Sequence, residues 1–138
     1  MAKTVADIMT ARPAAVEAEQ PVSVAAALMR DNDAGAVIVN DNGRVSGIIT
    51  DRDIAVRVVA ADKGPGTPVR EACSPSVETV GPDTSLDQAV QLMRTNAVRR
   101  LPVVEGGKAV GIVSLGDLAM ERDPESALGD ISAATGND

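Results

Sequence analysis

The fold of this chain is decided by the stretch Gly47-Ile48-Ile49-Thr50-Asp51-Arg52-Asp53. An apolar run that ends in a hydroxyl residue indicates a buried strand that turns directly into a helix. A second copy, Gly111-Ile112-Val113-Ser114-Leu115-Gly116-Asp117, follows later in the chain. In each copy a carboxylate stands three residues after the hydroxyl residue. The two copies therefore predict the same corner between a strand and a helix twice.

Two interpretations of this corner are compatible. In the first, Thr50 and Ser114 are N-caps whose side-chain oxygens accept hydrogen bonds from the first helical turn, and Asp53 and Asp117 complete capping boxes. In the second, the free N–H groups and the dipole of the helix start hold a phosphate, with the hydroxyl as a further donor. A carboxylate repels phosphate, so the aspartates would instead accept hydrogen bonds from ribose hydroxyls.

Composition excludes several function classes. The chain has 138 residues, a net charge of −7, no aromatic residue, no histidine and one cysteine. Acidic residues outnumber basic ones in both halves, which disfavours nucleic acid and anionic membranes as partners. Zinc sites and histidine-based catalysis are disfavoured as well, and no nucleophile–base pair is visible. We therefore predict a cytoplasmic protein that is not an enzyme.

The whole chain repeats with the spacing of the two motif copies. The shift in numbering that carries Gly47 to Gly111 also maps Ala25 on Ala89, Asn32 on Asn96 and Gly43 on Gly107 without an insertion, which indicates an internal duplication. The predicted domains are residues 4–62 and 69–120, joined by a linker over 63–68 and followed by a weakly ordered acidic tail over 121–138. The first domain is expected to contain, in order, a turn at 5–9, a strand at 14–16, a helix at 21–32, strands at 36–39 and 45–49, and a helix at 51–61.

This pattern resembles a pair of CBS domains, the tandem called a Bateman module. The residues that carry the resemblance are 5–9, 25–29 and 47–53 in the first copy and 92–93, 100–104 and 111–117 in the second. The resemblance implies an α/β (α+β) fold in which each repeat runs short helix–β–α–β–β–α. It also implies that the repeats pack by their sheets with pseudo-two-fold symmetry, leaving two clefts.

For these clefts the resemblance implies adenosine-containing ligands: AMP, ADP, ATP, S-adenosylmethionine or NADH. It implies no required cofactor. By the same resemblance Asp53 and Asp117 hold ribose, while Thr50 and Ser114 lie near phosphate. The implied base contacts are Ala15, Val16, Ala36 and Val37 in the first copy and Thr79, Val80, Arg100, Leu101 and Pro102 in the second. The first copy lacks the proline that Pro102 supplies, so its base pocket departs from the family pattern.

Three arginines are further candidates for the ligand site. Arg52 opposes the dipole of its helix start, which favours either a phosphate contact or an exposed ion pair. Arg99 and Arg100 are adjacent in a predicted strand, so they point to opposite faces and one of them is expected to reach a cleft. Because Gly116 replaces Arg52 in the second copy, we expect the Thr50 cleft to depend more on phosphate than the Ser114 cleft.

Two functions remain open: a sensor of adenine nucleotides, and a structural dimer or regulatory subunit whose clefts hold no nucleotide. The predicted helix over 51–61 is apolar on nearly all sides, which predicts a homodimer. A regulated protein partner, not identified by the sequence, is compatible with either function.

Overall fold

A computed structural model describes residues 2–74, 78–122, 128–129 and 131. The strands are β1 (Thr10–Ala11), β2 (Ala15–Glu17), β3 (Ala36–Asp41), β4 (Arg44–Thr50), β5 (Arg100–Glu105) and β6 (Lys108–Ser114). The α-helices are α1 (Val22–Asn32), α2 (Asp51–Ile54), α3 (Leu86–Asn96) and α4 (Leu115–Arg122). Short 3-10 helices span Val5–Asp7 and Val69–Glu71, and a π-helical segment, Ala55–Val59, continues α2. The predicted mixed α/β order is confirmed.

The chain forms two compact units. Of the described residues, the first-repeat unit contains residues 14–74, and the second-repeat unit contains residues 2–13 together with residues 78–122, 128–129 and 131. In the first-repeat unit the strand order is β2-β3-β4, with β2 parallel and β4 antiparallel to β3. In the second-repeat unit the order is β1-β6-β5, and Val80 adds a parallel bridge to Val103 on the far side of β5. The repeat predicts a strand over 77–80 that matches the first strand of the first domain, and residue 77 of it lies outside the described residues.

Both units are built on aliphatic cores, as a chain without aromatic residues requires. In the first-repeat unit the fully buried side chains include Ala25, Val37, Val39 and Ile49. The corresponding residues of the second-repeat unit are Ala89, Leu101, Val103 and Val113. These pairs are related by the same shift in numbering as the two motif copies, so the duplication seen in the sequence preserves the core positions.

Each unit borrows its first short helix from the other repeat. Val5, in the first repeat, is fully buried among Val80, Leu86 and Leu101 of the second-repeat unit. Val69, at the start of the second repeat, is fully buried in the first-repeat unit. The compact units therefore cross the boundaries of the two sequence repeats.

The residues over 63–68, predicted as a linker, cap α1. The carbonyl of Thr67 accepts from the Val22 amide at 2.8 Å, and the carbonyl of Pro65 accepts from the Ser23 amide at 3.2 Å. The residue before α1 is Pro21, whose side chain makes no capping hydrogen bond. Backbone carbonyls thus satisfy amides that a Ser or Asp cap satisfies elsewhere.

Tight turns join β3 to β4 and β5 to β6, as the glycine-containing sequences predict. The turn residues Asn42 and Gly43 have φ of 54° and 78°, and the matching Gly106 and Gly107 have φ of 61° and 82°. Positive φ at both central residues is the type I′ geometry, whose twist matches that of the flanking strands.

Three features differ from the sequence expectations. Helix α2 changes to π-helical geometry at Ala55 and ends at Val59, whereas the prediction ran as a single helix to residue 61. Strand β1, which pairs antiparallel with β6, was not predicted because two residues carry no periodic pattern. Helix α4 continues to Arg122, and most of the tail predicted over 121–138 lies outside the described residues.

Candidate functional site

The first copy of the motif forms a capping box. The Asp53 amide donates to Thr50 Oγ1 at 3.1 Å, and the Thr50 amide donates to Asp53 Oδ2 at 2.9 Å. Asp53 is only 8% exposed. Within the described residues no donor contacts its second oxygen, Oδ1, so this oxygen is the part of the carboxylate left for a further partner.

The second copy repeats the arrangement. The Asp117 amide donates to Ser114 Oγ at 3.2 Å, and the Ser114 amide donates to Asp117 Oδ2 at 2.8 Å. Burial raises the pKa of Asp117, and the hydrogen bonds from Ser114 oppose this rise. The capping interpretation is therefore confirmed for both copies.

The backbone amides at the two helix starts differ. At α2 the Asp51 amide donates to the carbonyl of Gly35, and the Arg52 amide donates to Asp51 Oδ1. Together with the Asp53 amide, the first three N–H groups of this helix are satisfied inside the protein, which leaves none of them for a phosphate.

At α4 the Leu115 amide donates to the carbonyl of Arg99 at 2.8 Å. Leu115 stands where the first repeat has Asp51, so no carboxylate reaches the next amide, that of Gly116. Among the described residues the Gly116 amide has no acceptor. The second repeat thus retains a backbone donor that the first repeat uses internally.

Sheet register gathers the candidate residues at one end of each unit. Ala36 lies directly opposite Thr50 across β3 and β4, and Arg100 lies opposite Ser114 across β5 and β6. Ala15 pairs with Ile38, which places the edge strand β2 beside the start of β3. The edge residue Thr79 precedes the bridge of Val80 to Val103 and so lies beside the start of β5.

Several candidates have side chains that belong to the protein interior. The side chains of Val16, Val37, Val80 and Leu101 are packed in the two aliphatic cores, and Ala36 and Pro102 are also buried. These side chains therefore form part of the core and not an exposed surface. Ala15 and Thr79 are exposed.

The arginine candidates differ in their exposure. Arg99 is exposed and precedes β5, whereas Arg100 is half-buried and is the first residue of that strand. Arg52 is exposed, and its guanidinium has no partner among the described residues, so the alternative of an ion pair is not observed there.

A cavity of about 550 Å³ opens in the second-repeat unit beside the candidate residues. It is lined by Thr79, Val80, Gly81, Thr84, Asp87, Gln88, Gln91 and Leu92. The first two were candidates from the sequence, and the others were not predicted. Gln88, Gln91 and Leu92 lie on one face of α3, and the two glutamines on that face were the available signal.

A second cavity, of about 480 Å³, lies in the first-repeat unit. Its lining is mainly apolar and comes from α1, the π-helical segment and the residues over 63–65. No candidate residue from the sequence analysis lines it.

The chain was compared with known proteins. The family model described as CBS domain matches it twice, over residues 5–60 and 69–123. The chain belongs to the CBS-domain family. CBS pairs are typically regulatory modules. The CBS domain-containing protein YhcV of Bacillus subtilis is 40% identical to this CBS pair over 126 residues, covering 91% of this chain and 90% of YhcV.

Hypoxic response protein 1 of Mycobacterium tuberculosis is 35% identical over 127 residues, covering 91% of this chain and 88% of the relative. A crystal structure of Hypoxic Response Protein I with two coordinated zinc ions superimposes with a TM-score of 0.76 at 33% identity, covering 84% of this chain and 96% of that one. The present chain has no histidine, and its described part contains no group of three or more Cys, Asp or Glu residues suited to a metal ion. We therefore do not assign the zinc sites of that protein to this chain.

A hexameric CBS-CP12 protein from bloom-forming cyanobacteria superimposes with a TM-score of 0.78 at 26% identity, covering 90% of this chain and 74% of that one. CBS pairs thus occur in oligomers among the structural neighbours. None of the helices that the structure describes here is long and apolar enough to span a bilayer.

Proposed function

We propose that this CBS pair is a regulatory module that binds an adenosine-containing ligand and is not itself an enzyme. The observation that carries the proposal is the sheet register, which brings the motif helix start, the first residues of the central strand and the edge strand to one end of each unit. A nucleoside needs contacts to base, ribose and phosphate at neighbouring positions, and this end of the sheet supplies backbone groups, a carboxylate and a hydroxyl.

The second-repeat site has the better-formed surroundings. The second-repeat unit has a cavity of about 550 Å³, within the size range of small-molecule sites, and Thr79 and Val80 of the candidate residues line it. Thr79, Thr84 and two glutamines supply hydrogen-bonding groups there, and Asp87 adds a carboxylate to the lining. The open Gly116 amide supplies a donor to phosphate at the start of α4.

The first-repeat site depends on a side chain for the same task. Asp51 places a negative charge at the start of α2 and occupies the Arg52 amide. The exposed Arg52 guanidinium is then the cation that offsets this charge, and it makes the site dependent on phosphate and on salt. We expect Arg52→Ala to weaken ATP more than adenosine, with the difference shrinking at high salt.

The second candidate is a structural or regulatory subunit that holds no nucleotide. It is favoured by the closed capping boxes, because Thr50 and Asp53 already satisfy each other. The burial of Asp53 points the same way, since a ribose must reach a carboxylate that is 8% exposed.

A melting-shift panel with AMP, ADP, ATP, S-adenosylmethionine and NADH separates the two candidates. A ligand at 100 times its dissociation constant stabilises the folded state by about 2.7 kcal/mol. Calorimetry on Asp53→Asn and Asp117→Asn then assigns the sites, because asparagine keeps the capping oxygen and removes the charge. Losing a charge-assisted bond to ribose weakens binding by about 1.5–3 kcal/mol. No shift with any of the five ligands favours the subunit without nucleotide.

We also propose that the molecule is a cytoplasmic homodimer with a regulated protein partner. Val56 and Val59 on the π-helical segment are 49% and 69% exposed, whereas Val58 is buried within the unit. Exposed apolar residues that cluster on one element mark interfaces. Val59→Glu is expected to shift sedimentation towards the monomer, and Thr95→Glu, at an exposed position of α3, is the control. A wild-type chain that sediments as a monomer at all concentrations contradicts the dimer.

A further inference from the structure

Arg57 joins the π-helical segment to the chain that begins the second repeat. Its guanidinium Nη1 donates to the carbonyls of Ala72 and Cys73, both at 3.1 Å. Residues 69–74 start the second repeat in sequence but pack in the first-repeat unit. We call residues 69–74 the exchanged segment.

The two carbonyls need a partner. They end the 3-10 turn Val69–Glu71, in which the amides of Ala72 and Cys73 donate back to Val69. Carbonyls at the end of such a turn have no partner within it, and Ala72 is fully buried. Among the described residues Arg57 is their only donor, and its positive charge suits the negative end of the turn.

The matched residue of the second repeat performs a similar task. Glu121, on α4, stands at the position of the second repeat that matches Arg57 in the first. Its Oε1 accepts from the Ala2 amide at 3.2 Å, in the N-terminal segment that packs in the second-repeat unit. The charge is reversed, yet in both units this position of the last helix holds the segment that the other repeat contributes.

We propose that Arg57 is a latch that holds the exchanged segment in the first-repeat unit, and that releasing it lets this segment detach while the sheet stays folded. Besides the latch, the segment is attached by the buried side chains of Val69, Ala72 and Cys73 and by exposed ion pairs of Arg70 with Glu19 and of Glu71 with Lys63. Three backbone hydrogen bonds, from Val69 to Gln20, from Arg70 to Ala18 and from Ser74 to Ile48, complete its attachments among the described residues. Because the segment is a single short turn, its detachment exposes less surface than global unfolding and needs a lower free energy.

The latch also connects the segment to the motif. Asp53 and Arg57 are four residues apart on one continuous helix, so they lie one turn from each other. A displacement of the helix start at the Thr50–Asp53 capping box therefore shifts the Arg57 guanidinium relative to its two carbonyls. The Arg57 latch is therefore a conformational device that couples the Thr50–Asp53 capping box to the exchanged segment.

Cys73 provides a built-in probe, because it is the single cysteine of the chain and is buried beside the latch. N-ethylmaleimide reacts with it only after the exchanged segment opens. Burial raises the pKa of Cys73 and the charge of Arg57 opposes that rise, so removing Arg57 by itself slows the reaction. Faster alkylation of a variant therefore reports opening and not a change in thiol acidity.

Arg57→Gln is expected to speed alkylation of Cys73 by on the order of tenfold or more, since it removes charge-assisted hydrogen bonds. Arg52→Gln is the matched control, because Arg52 lies on the same helix and its side chain has no described partner. Arg57→Lys keeps the charge but carries its donors on a shorter side chain, and it should give an intermediate rate. Equal rates in the wild type and Arg57→Gln overturn the latch.

Hydrogen exchange measured by mass spectrometry localises the opening. Faster exchange confined to peptides covering 69–74 supports the latch, whereas a uniform rise across the chain shows a general loss of stability and overturns it. Asp53→Asn in both the wild-type and Arg57→Gln backgrounds tests the coupling. We expect Asp53→Asn to speed exchange of the segment only while Arg57 is present; additive effects overturn the connection to the motif.

Discussion

At the scale of single residues, each of the two motif glycines lies against a segment that the other repeat contributes to its unit. A Cβ atom built on Gly47 lies 2.5 Å from the carbonyl oxygen of Ser74, which is backbone and cannot turn away. A Cβ built on Gly111 meets chiefly the side chain of Met9, which is flexible. A side chain at this motif position is therefore expected to cost more stability in the first-repeat unit than in the second-repeat unit.

Gly47→Ala is therefore expected to destabilise the protein by about 1–3 kcal/mol, as overpacking does, because the exchanged segment must shift. Gly111→Ala is the matched variant and should cost less, since Met9 can adopt another rotamer. Chemical denaturation measured by circular dichroism compares the two. A larger loss for Gly111→Ala would contradict this account of the close approaches.

Asp117 gives the protein a pH dependence of defined sign. Because its folded pKa is raised by burial, the folded state binds more protons than the unfolded state between the ordinary value of 3.8 and the raised one. The free energy of unfolding contributed by this group is thus largest below pH 3.8 and falls as pH rises through the folded pKa.

Asp117→Asn keeps an oxygen for the Ser114 amide and removes the titration. Urea unfolding of wild type and variant from about pH 3 to pH 7 isolates the contribution of Asp117. The stability of the wild type relative to the variant is expected to decline across this range. Parallel curves would show that burial leaves the proton affinity of Asp117 unperturbed.

At the scale of elements, α1 and α3 end in the same way with different residues. The C-terminal residues Asp33 and Ala97 adopt left-handed conformations with φ of 51° and 53°. Alanine is strained there by its Cβ, whereas aspartate tolerates this region better. Ala97→Gly is expected to raise the free energy of unfolding by about 0.5–1 kcal/mol, and Asp33→Gly by less. Thermal melts of the two variants check the order.

The sequence determined most elements because local signals agree. The helix at 22–32, the Asn42-Gly43 turn and both capping boxes follow from spacing and residue type alone. The π-helical segment did not, because Ala55 to Val59 are apolar in nearly all directions and fit an α-helix equally well. The cavity beside Thr79 was missed in the same way, since the polar face of α3 resembles any solvated helix face.

At the scale of the whole molecule, the exchanged segments could not be predicted from the sequence. A chain that repeats once along its length suggests two domains that fold separately, and short segments such as Val5–Asp7 carry no signal for the unit in which they pack. The structure instead places the first short helix of each repeat in the other unit. Stability of either unit therefore depends on residues from both repeats.

Val5→Ala and Val69→Ala test this dependence, because both valines are fully buried and stand at matched positions of the two repeats. Removing two buried methyl groups should cost about 2–3 kcal/mol in each variant, near the lower end of large-to-small core substitutions. By sequence, Val5 belongs with residues 14–62; by structure, it belongs with residues 78–122. Hydrogen exchange should therefore quicken most over β5, β6 and α3 in Val5→Ala, and over β3, β4 and α1 in Val69→Ala. If hydrogen exchange instead quickens mainly over residues 14–62 in Val5→Ala and over residues 78–122 in Val69→Ala, the packing of each short helix in the unit of the other repeat is contradicted.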